Sequence, residues 1–355
     1  MESLQTIFER TKVQFSQRLP FVIYSKPGQN RLNAYFQKNA KIYLAEHFTE
    51  TGFVFAPFNG TKYILIPENE SEIKTADFVA SENYAVIPEL TTNQTGETNF
   101  KNLVQKGIDA INSGQFGKVV LSRKEIIALE NADFLLLFEK LLYTYPTAFR
   151  YCWFHPEIGL WLGATPERLL KSESNKFYTM ALAGTQKFEG MDDVEWQQKE
   201  RTEQRFVTDF IIENLEDAVS EVTVSKPYTA KAGNLLHLKT DIEGIMNDDA
   251  NLKQVVEILH PTPAVCGFPK AEAKAFILAN EGYDREYYSG FLGELNHDFE
   301  NGKTGTDLYV NLRCMQVKAD SAHLYMGCGI TKDSNPKKEY LETVNKSMTM
   351  KKIIL

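Results

Sequence analysis

The sequence AFRYCWFHPEIGLWLGA, residues 148–164, contains two apolar runs separated by only four residues. Each run has the length and the aromatic content of a β-strand, and strands joined by so short a connection pair antiparallel. The same arrangement is predicted for KVVLSR with EIIAL, residues 118–129, and for DLYVNLRCMQV with AHLYMGCGI, residues 307–330. The body of the protein is therefore predicted to contain large antiparallel sheets.

Segments with a helical pattern of apolar residues lie between these strands. They are residues 3–18, 98–114, 133–143, 193–218, 252–259, 270–281 and 336–350. They do not follow the regular strand–helix–strand alternation of a doubly wound fold. The fold class is therefore predicted to be α+β, with large antiparallel sheets faced by helices.

The first part of the chain is rich in short strand-like runs, namely FVIYS, GFVFAPF and KYILI, separated by Gly, Pro and Asn turns. The polar stretch PELTTNQTGE, residues 88–97, is the best candidate for a linker. We therefore divide the chain into an N-terminal strand-rich region, residues 1–97, and a main domain, residues 98–355. The first region is expected to pack into the same globule as the second.

Composition excludes several classes of function. The net charge of −8 and the scattered lysines argue against a nucleic-acid-binding protein. The four cysteines form no C-x-x-C pair and lie in apolar surroundings, as reduced thiols do. The N-terminus lacks the apolar core of a signal peptide, and no apolar run reaches the ~18 residues that span a bilayer. We expect a cytoplasmic protein without a membrane partner.

A Glu-x-x-Glu pair, Glu200 and Glu203, lies on the apolar side of its predicted helix, where a solvated glutamate does not belong. The residues that share this face are Trp196, Val207, Phe210, Ile211, Leu215 and Ala218. Glu213 and Glu216 have the same spacing but project to the opposite face, as a surface pair does. Carboxylates turned toward a core must be protonated, paired or bound to a cation, and carboxylate oxygens are ligands that Mg²⁺ takes.

A second such pair, Glu339 and Glu342, follows Asn335 and Pro336, which form an N-cap and a first helical residue. The apolar face of this helix is predicted to contain Tyr340, Leu341, Val344 and Met348. Both glutamates and Lys346 lie on the other side. A metal site and a solvated face with a Glu342–Lys346 pair four residues apart explain this pattern equally well.

Two further residues have both a structural and a catalytic interpretation. Lys118 begins a strand with largely apolar faces, so its ammonium group either reaches an edge of the sheet or is desolvated and acts as a base. In LGATPERLL, Thr165 and Pro166 have the pattern of a helix start, with Glu167 beside the helix dipole. A general-acid role for Glu167 requires neighbours that raise its pKa.

Other residues give weaker signals. His260 lies in the proline-rich loop LHPTPAVCGFP, which is typical of a rigid loop that holds a side chain in place. Arg313 is predicted to lie inside an apolar strand, where it needs an anionic partner, either a ligand carboxylate or an internal acid. Glycines in ALAGT and MGCGI lie at strand ends, where backbone N–H groups can approach an anion. No nucleotide-binding, zinc or serine-hydrolase motif is present.

Taken in order, these motifs resemble the chorismate-utilising enzymes, a family that includes isochorismate, salicylate, anthranilate and aminodeoxychorismate synthases. The matching motifs are KVVLSR, GATPERLL, ALAGT, ERTEQRFV, LLHLKTDIEG, LHPTPAVCGFP, YYSGFLGE, LYVNLRC, GCGIT and NPKKEYLETVNK, within residues 98–350. The resemblance implies that chorismate binds together with Mg²⁺.

The resemblance also implies roles for individual residues. Glu203 and Glu342 would be metal ligands, supported by Glu200 and Glu339 directly or through water. The pyruvyl carboxylate would be held by Tyr288, Arg313 and the backbone around Gly327 and Gly329. The ring and metal side would be lined by Gly184, Thr185, His260 and Lys346.

Two positions imply that water is the nucleophile. Lys118 resembles the lysine that activates water in isochorismate and salicylate synthases, where anthranilate synthases have glutamine. Ala183 stands where aminodeoxychorismate synthases have a nucleophilic lysine. The implied reaction adds water at ring carbon 2, with Lys118 as general base, and removes the hydroxyl at carbon 4, with Glu167 as general acid. No amidotransferase subunit is expected.

The first expectation is thus an isochorismate synthase, which serves menaquinone or siderophore biosynthesis. The alternatives are a salicylate synthase, which adds pyruvate elimination, and a chorismate-binding protein without turnover. The sequence departs from the family pattern at Gln186, Gln204 and Glu286. These departures concern the tuning of the metal site more than the reaction.

Overall fold

The computed structural model describes residues 2–79, 94–129, 133–187, 194–232, 235–247, 251–297 and 304–354. For a few residues in helices and strands, among them Thr185 and Glu203, only the backbone is described. The predicted linker therefore lies largely outside the described residues, and its last four residues open a helix. Within the described part of the chain, no helix is long and apolar enough to cross a membrane.

Seven α-helices occur in the described residues. They are α1 Leu4–Ser16, α2 Gln94–Asn112, α3 Phe134–Thr144, α4 Gln198–Leu215, α5 Leu252–Leu259, α6 Lys270–Asn280 and α7 Pro336–Ile354. A 3₁₀ turn, Glu216–Ala218, extends α4. Each helix overlaps one that the apolar periodicity predicts.

In the part of the chain that the structure describes, nine strands form the first sheet. They are β1 Phe21–Ser25, β2 Arg31–Gln37, β6 Ser71–Asp77, β7 Lys118–Ala128, β8 Phe149–His155, β9 Gly159–Thr165, β15 Gly267–Phe268, β18 Cys314–Val317 and β19 Ser321–Ile330. Their order across the sheet is β15-β7-β19-β18-β9-β8-β1-β2-β6. The two apolar runs of residues 148–164 form β8 and β9, which pair from Phe149 with Thr165 to His155 with Gly159.

Ten strands form the second sheet. They are β3 Tyr43–Leu44, β4 Gly52–Ala56, β5 Ile64–Pro67, β10 Arg168–Glu173, β11 Lys176–Lys187, β12 Val219–Val224, β13 Tyr228–Ala232, β14 Leu235–Met246, β16 Phe291–Leu295 and β17 Gly305–Val310. Their order is β12-β14-β11-β10-β17-β16-β4-β5-β3, with β13 also paired to β14. All of these neighbours are antiparallel.

The two sheets share an aromatic core. Strand β8 shows the alternation that builds it, since Phe149, Tyr151 and Trp153 join side chains of the second sheet, whereas Cys152 and Phe154 face a core with α1, α3 and α7. Helices α4 and α5 cover the other face of the second sheet. The prediction of an α+β fold with large antiparallel sheets faced by helices is confirmed.

Two of the places where the chain crosses from one sheet to the other lie next to each other. Between β9 and β10 it crosses at Pro166–Glu167, and between β17 and β18 it returns at residues 311–313. Two backbone hydrogen bonds join the crossings, one from the Ala164 N–H to the Arg313 carbonyl at 3.0 Å and one from the Val310 N–H to the Glu167 carbonyl at 2.9 Å. We call these two segments the paired crossings.

The structure corrects four sequence predictions. Residues 118–128 form one long strand, β7, rather than a hairpin, because all of them pair with β19 or β15. Residues 305–317 form two strands in different sheets, so Arg313 lies between strands rather than inside one. No helix follows Thr165, because the chain continues directly into β10. On α7, Leu341 is exposed, and Thr343 and Ser347 take buried places beside Tyr340 and Val344.

The N-terminal region contributes strands to both sheets. Strand β1 pairs with β8 in the first sheet, and β4 pairs with β16 in the second. Phe55 of β4 stacks on Tyr287 with ring centroids 4.4 Å apart and also contacts Trp153. The hydrogen bonds and the aromatic core thus continue from residues 21–77 into the rest of the chain.

Candidate active site

A cavity of about 220 Å³ lies beside the paired crossings. Seven charged side chains line it: Lys118, Glu167, Glu200, Arg313, Glu339, Glu342 and Lys346. Of the uncharged residues that the sequence analysis selected, Gly184, Tyr288, Gly327 and Gly329 also line it. Residues more than 200 positions apart in the sequence therefore meet around one small volume.

Two of these charged residues, Glu167 and Arg313, lie on the paired crossings. The positive backbone φ angle of Arg313, 47°, turns the chain sharply between β17 and β18. The Thr165 hydroxyl donates to the Val310 carbonyl at 2.5 Å, which ties the first crossing to the second. Glu167 and Arg313 are thereby held by backbone that belongs to both sheets.

Burial determines the protonation of Glu167, whose residue is only 9% exposed. Desolvation of the carboxylate raises its pKa to about 7, although Arg313, Lys118 and Lys346 act in the opposite direction. The sequence predicted a helix dipole beside Glu167. No helix begins in the described residues at this turn, because the chain continues from Glu167 into β10. A carboxyl group with this pKa can donate a proton at neutral pH.

Lys118 is the first residue of β7 and is also 9% exposed. Its backbone pairs with Phe268 of the short edge strand β15. On the same strand, Val119 and Leu121 pack into the core under α2 and α6, and Val120 lines the cavity. The alternation that the sequence predicts for this strand therefore orients Lys118 and Val120 toward the cavity.

Helix α7 contributes three lining residues. Its N-cap is Asn335, whose Oδ1 accepts from the N–H groups of Lys337 and Lys338 at 3.1 Å each, as predicted. Lys346 forms an ion pair with Glu342 at 2.6 Å and donates to the Gly327 carbonyl at 2.9 Å. The pair four residues apart exists and lies at the cavity wall, where the Glu342 side chain is 38% exposed.

Helix α4 approaches the cavity opposite a glycine. Gly184 has a φ of 70° at an irregularity between β11 and β14, and an added Cβ would lie 3.0 Å from the Glu200 Cβ. Glu200 Oε2 is buried and has no hydrogen-bond partner among the described residues. The side chains of Glu203 and Thr185 lie outside the described residues, so the structure does not test their predicted roles.

The donor set suits a hard cation. Three described carboxylates, those of Glu200, Glu339 and Glu342, line one cavity, and one of their oxygens is buried without a partner. Within the described side chains, no three acidic, histidine or cysteine residues already stand close enough to hold a metal ion. Oxygen ligands of this kind, completed by water and substrate, fit Mg²⁺, which keeps part of its hydration shell.

The wall formed by Tyr288 and Gly327 is tightly packed. A Cβ added to Gly327 would lie 3.0 Å from the Tyr288 hydroxyl and 2.8 Å from the Leu121 carbonyl. The Tyr288 ring stacks on Tyr325 at 5.6 Å, and burial raises the pKa of its phenol. The hydroxyl therefore stays protonated and able to donate at neutral pH.

His260 lies elsewhere than the sequence analysis expected. Its Nε2 lies 3.1 Å from the Pro57 carbonyl, and its ring packs edge-on against Phe291. Burial lowers the pKa of the imidazole to about 3. Unlike Ala264 and Val265 of the same loop, His260 does not line the cavity, because this contact draws its side chain toward the second sheet.

His237 is a titratable residue of the cavity wall that the sequence did not single out. It lies on β14 between the buried Leu236 and Leu238, and its Nδ1 is 3.0 Å from the Gly184 carbonyl. Burial lowers the pKa of its imidazole to about 4, so the ring is neutral at pH 7. A polar residue between two buried leucines of LLHLKTDIEG is the signal that could have identified it.

The two-sheet fold is similar to that of a solved isochorismate synthase and a solved anthranilate synthase component I. MenF, the menaquinone-specific isochorismate synthase of Escherichia coli, superimposes with a TM-score of 0.76 at 19% identity, covering 95% of this chain and 89% of that chain. Anthranilate synthase component I from Streptococcus pneumoniae gives 0.66 at 18% identity, covering 93% and 90%. At these identities the likeness concerns the fold alone.

Sequence similarity determines the family. The model of the chorismate binding enzyme family matches residues 63–355, and the chain belongs to that family. The chain is 30% identical to the isochorismate synthase EntC of Escherichia coli K12 over 307 residues, which cover 81% of this chain and 76% of that protein. It is 28% identical to the isochorismate synthase MenF of Pasteurella multocida, covering 73% and 62%.

Proposed function

We propose that this protein is an isochorismate synthase, which interconverts chorismate and isochorismate with Mg²⁺ as cofactor. The observation that carries the proposal is that Lys118 and Glu167 line one cavity, with the pKa of Glu167 raised to about 7. A base and a protonated acid in one site are what an exchange of hydroxyl groups requires. The similarity to EntC and MenF supports the choice of reaction.

Lys118 is the general base, which accepts a proton from water as the water oxygen attacks ring carbon 2. The carbon 4–oxygen bond breaks in the same transformation, and Glu167 donates its proton to the departing hydroxyl, which leaves as water. One water enters and one leaves, so the net change is an isomerisation. Lys118 has then gained the proton that Glu167 has lost, and the reverse reaction exchanges their roles.

The other charged residues bind and orient the substrate. Arg313, Tyr288 and the backbone near Gly327 line the cavity and would hold the pyruvyl carboxylate by charge and hydrogen bonds. Glu200, Glu339 and Glu342, together with Glu203, would hold Mg²⁺. Bound there, the ion would neutralise and orient the ring carboxylate of chorismate. Lys346, paired with Glu342 on the same helix, donates to the Gly327 carbonyl and so holds α7 against β19 at the cavity.

A product assay tests the proposal directly. Purified protein with chorismate and Mg²⁺ at neutral pH is expected to form isochorismate in equilibrium with chorismate, with no pyruvate above background. Chromatography separates the products, and lactate dehydrogenase with NADH reports pyruvate. Salicylate and pyruvate formed together, at a rate comparable to chorismate loss, would instead identify a salicylate synthase. Anthranilate formed from ammonia would contradict the role of Lys118.

A further inference from the structure

A fully buried ion pair, Glu281 with Arg285, lies behind the cavity without lining it. Its side chains are 1% and 2% exposed. Arg285 Nε donates to Glu281 Oε2 at 2.8 Å, and Nη2 donates to Oε1 at 2.5 Å. This two-point geometry is the strong form of the arginine–carboxylate pair. The pair follows the end of α6 and precedes Tyr288.

The remaining N–H groups of Arg285 reach two other parts of the cavity wall. Nη1 donates to the Val265 carbonyl at 3.0 Å, and Nη2 also donates to the Val120 carbonyl at 2.7 Å. Val120 belongs to the strand that carries Lys118, and Val265 belongs to the loop that follows His260. Both valines line the cavity.

The carboxylate of Glu281 adds a second connection to the same strand. Its Oε1 accepts from the Ser122 N–H at 2.7 Å and from the Ser122 hydroxyl at 2.9 Å. The Tyr288 N–H donates to the Arg285 carbonyl at 2.9 Å, and the guanidinium lies 5.9 Å from the centre of the Tyr288 ring. Three separate segments of the wall therefore meet at one ion pair.

We propose that the Glu281–Arg285 pair is a positioning element that fixes the distance between Lys118 and the substrate held at Tyr288. The planar guanidinium makes hydrogen bonds in fixed directions. While it is in place, strand β7, the loop that contains Val265 and the turn that leads to Tyr288 cannot shift relative to one another. The pair acts through these backbone contacts and touches no reacting atom. Its kinetic consequence rests on the proposed function.

The test compares Arg285→Lys with a matched control. Lysine keeps the charge but cannot bond Glu281, Val265 and Val120 together. Because a shift of about 1 Å between base and substrate costs on the order of 100-fold in rate, we expect kcat per folded molecule to fall about 10-fold to 100-fold. The Michaelis constant should change by less than about threefold, because Arg313 and Lys346 remain in place.

The control is Lys26→Met in another buried ion pair, Lys26 with Glu294 at 2.6 Å, which does not line the cavity. It is expected to lose stability but keep kcat per folded molecule within about threefold. Ser122→Ala removes one hydrogen bond to Glu281 and one with the Tyr283 hydroxyl but keeps the ion pair, so it remains informative if Arg285→Lys does not fold. Its kcat should fall about threefold with the pH profile unchanged.

Hydrogen–deuterium exchange provides a readout that needs no turnover. In Arg285→Lys, or in Ser122→Ala to a smaller degree, exchange should become faster in residues 118–122, 262–266 and 285–290 together, and remain unchanged in β8 and β9. Wild-type kcat in Ser122→Ala and in any folded Arg285→Lys would overturn the proposal, and so would faster exchange in only one segment. If the wild type converts no chorismate, the proposed function fails, and the exchange pattern still decides whether the pair joins the three segments.

Discussion

At the scale of single residues, the pKa of Glu167 links stability to pH. Burial raises this pKa from 4.5 to about 7, so the folded protein holds a proton that the unfolded chain releases. The stabilising effect is therefore full below pH 4.5 and is lost as pH rises through 7. Glu167→Gln, which mimics the protonated form, should match wild-type stability near pH 4 and exceed it by roughly 3 kcal/mol at most near pH 8.

Urea unfolding at both pH values measures this difference. Glu213→Gln, on the exposed side of α4, is the control, and its stability relative to the wild type should not change between these pH values. If Glu167→Gln shows the same relative stability at both pH values, the carboxyl group of Glu167 is not held protonated by burial.

Lys118 and Glu167 should each be necessary for turnover. Lys118→Gln and Glu167→Gln are expected to lower kcat by roughly 100-fold or more, which is the usual contribution of one positioned base or acid. Chorismate binding, measured by calorimetry, should persist because Arg313 and Tyr288 are unchanged. Lys171→Gln, in an accessible ion pair on β10, is the control. A folded Lys118→Gln variant with wild-type kcat would show that another group is the base.

Histidines show where residue-level prediction from sequence fails. His260 lies in a loop of prolines and glycine, whereas His237 lies between leucines. Because a rigid loop can hold a side chain in place, the sequence favoured His260 as the site residue. The structure places His260 against the Pro57 carbonyl and His237 at the cavity. His260 contacts Pro57, which lies 203 positions earlier in the chain, and His237 contacts Gly184, which lies 53 positions earlier. Local sequence contains no information about either contact.

At the scale of elements, the proposed metal ligands are carried by two helices, α4 and α7. Glu342→Gln or Glu203→Gln should weaken Mg²⁺ binding and raise the Mg²⁺ concentration needed for half-maximal activity, because each removes an anionic oxygen ligand. Calorimetric titration with Mg²⁺ alone and an activity titration measure the two effects. Removal of Mg²⁺ with a chelator should abolish activity in the wild type.

Glu216→Gln is the control for this experiment, since Glu216 has the same spacing from Glu213 but is exposed. Full wild-type activity in chelator, or an equal loss of affinity in Glu216→Gln, would contradict the metal assignment.

Gln204 follows Glu203 and is buried with its amide bonded to Thr208 and Thr240. At this position, where the sequence departs from the family pattern, the amide N–H groups of Gln204 therefore have hydrogen-bond partners within the protein.

The sequence predicted helices and strands better than the connections between them. Periodicity located α4, α7, β8 and β9 because each buries a regular set of side chains. It failed at the paired crossings, where Thr165 and Pro166 imitate a helix start and the strand pattern continues through Arg313. Whether a chain pairs within one sheet or passes to another depends on distant partners, such as the bond between Val310 and Glu167.

At the scale of the whole molecule, the aromatic core makes the N-terminal region part of the site's support. Phe55 is fully buried and stacks on Tyr287, the neighbour of Tyr288. Phe55→Ala should reduce the free energy of unfolding by about 3–5 kcal/mol. Denaturant titration measures this change. Ile42→Ala, at a site that is 48% exposed, should change stability by less than about 0.5 kcal/mol. Equal losses in both variants would refute the structural role of this core.

The paired crossings also relate ligand binding to the cohesion of the two sheets. Any molecule that binds Glu167 and Arg313 binds segments that belong to both sheets at once, and it binds only while these are assembled. Chorismate at about 100 times its dissociation constant would then stabilise the folded protein by roughly 2.7 kcal/mol. A cell rich in this metabolite would protect the enzyme from proteolysis, and one depleted of it would lose the enzyme sooner. Substrate supply would in this way set the lifetime of the catalyst as well as its rate.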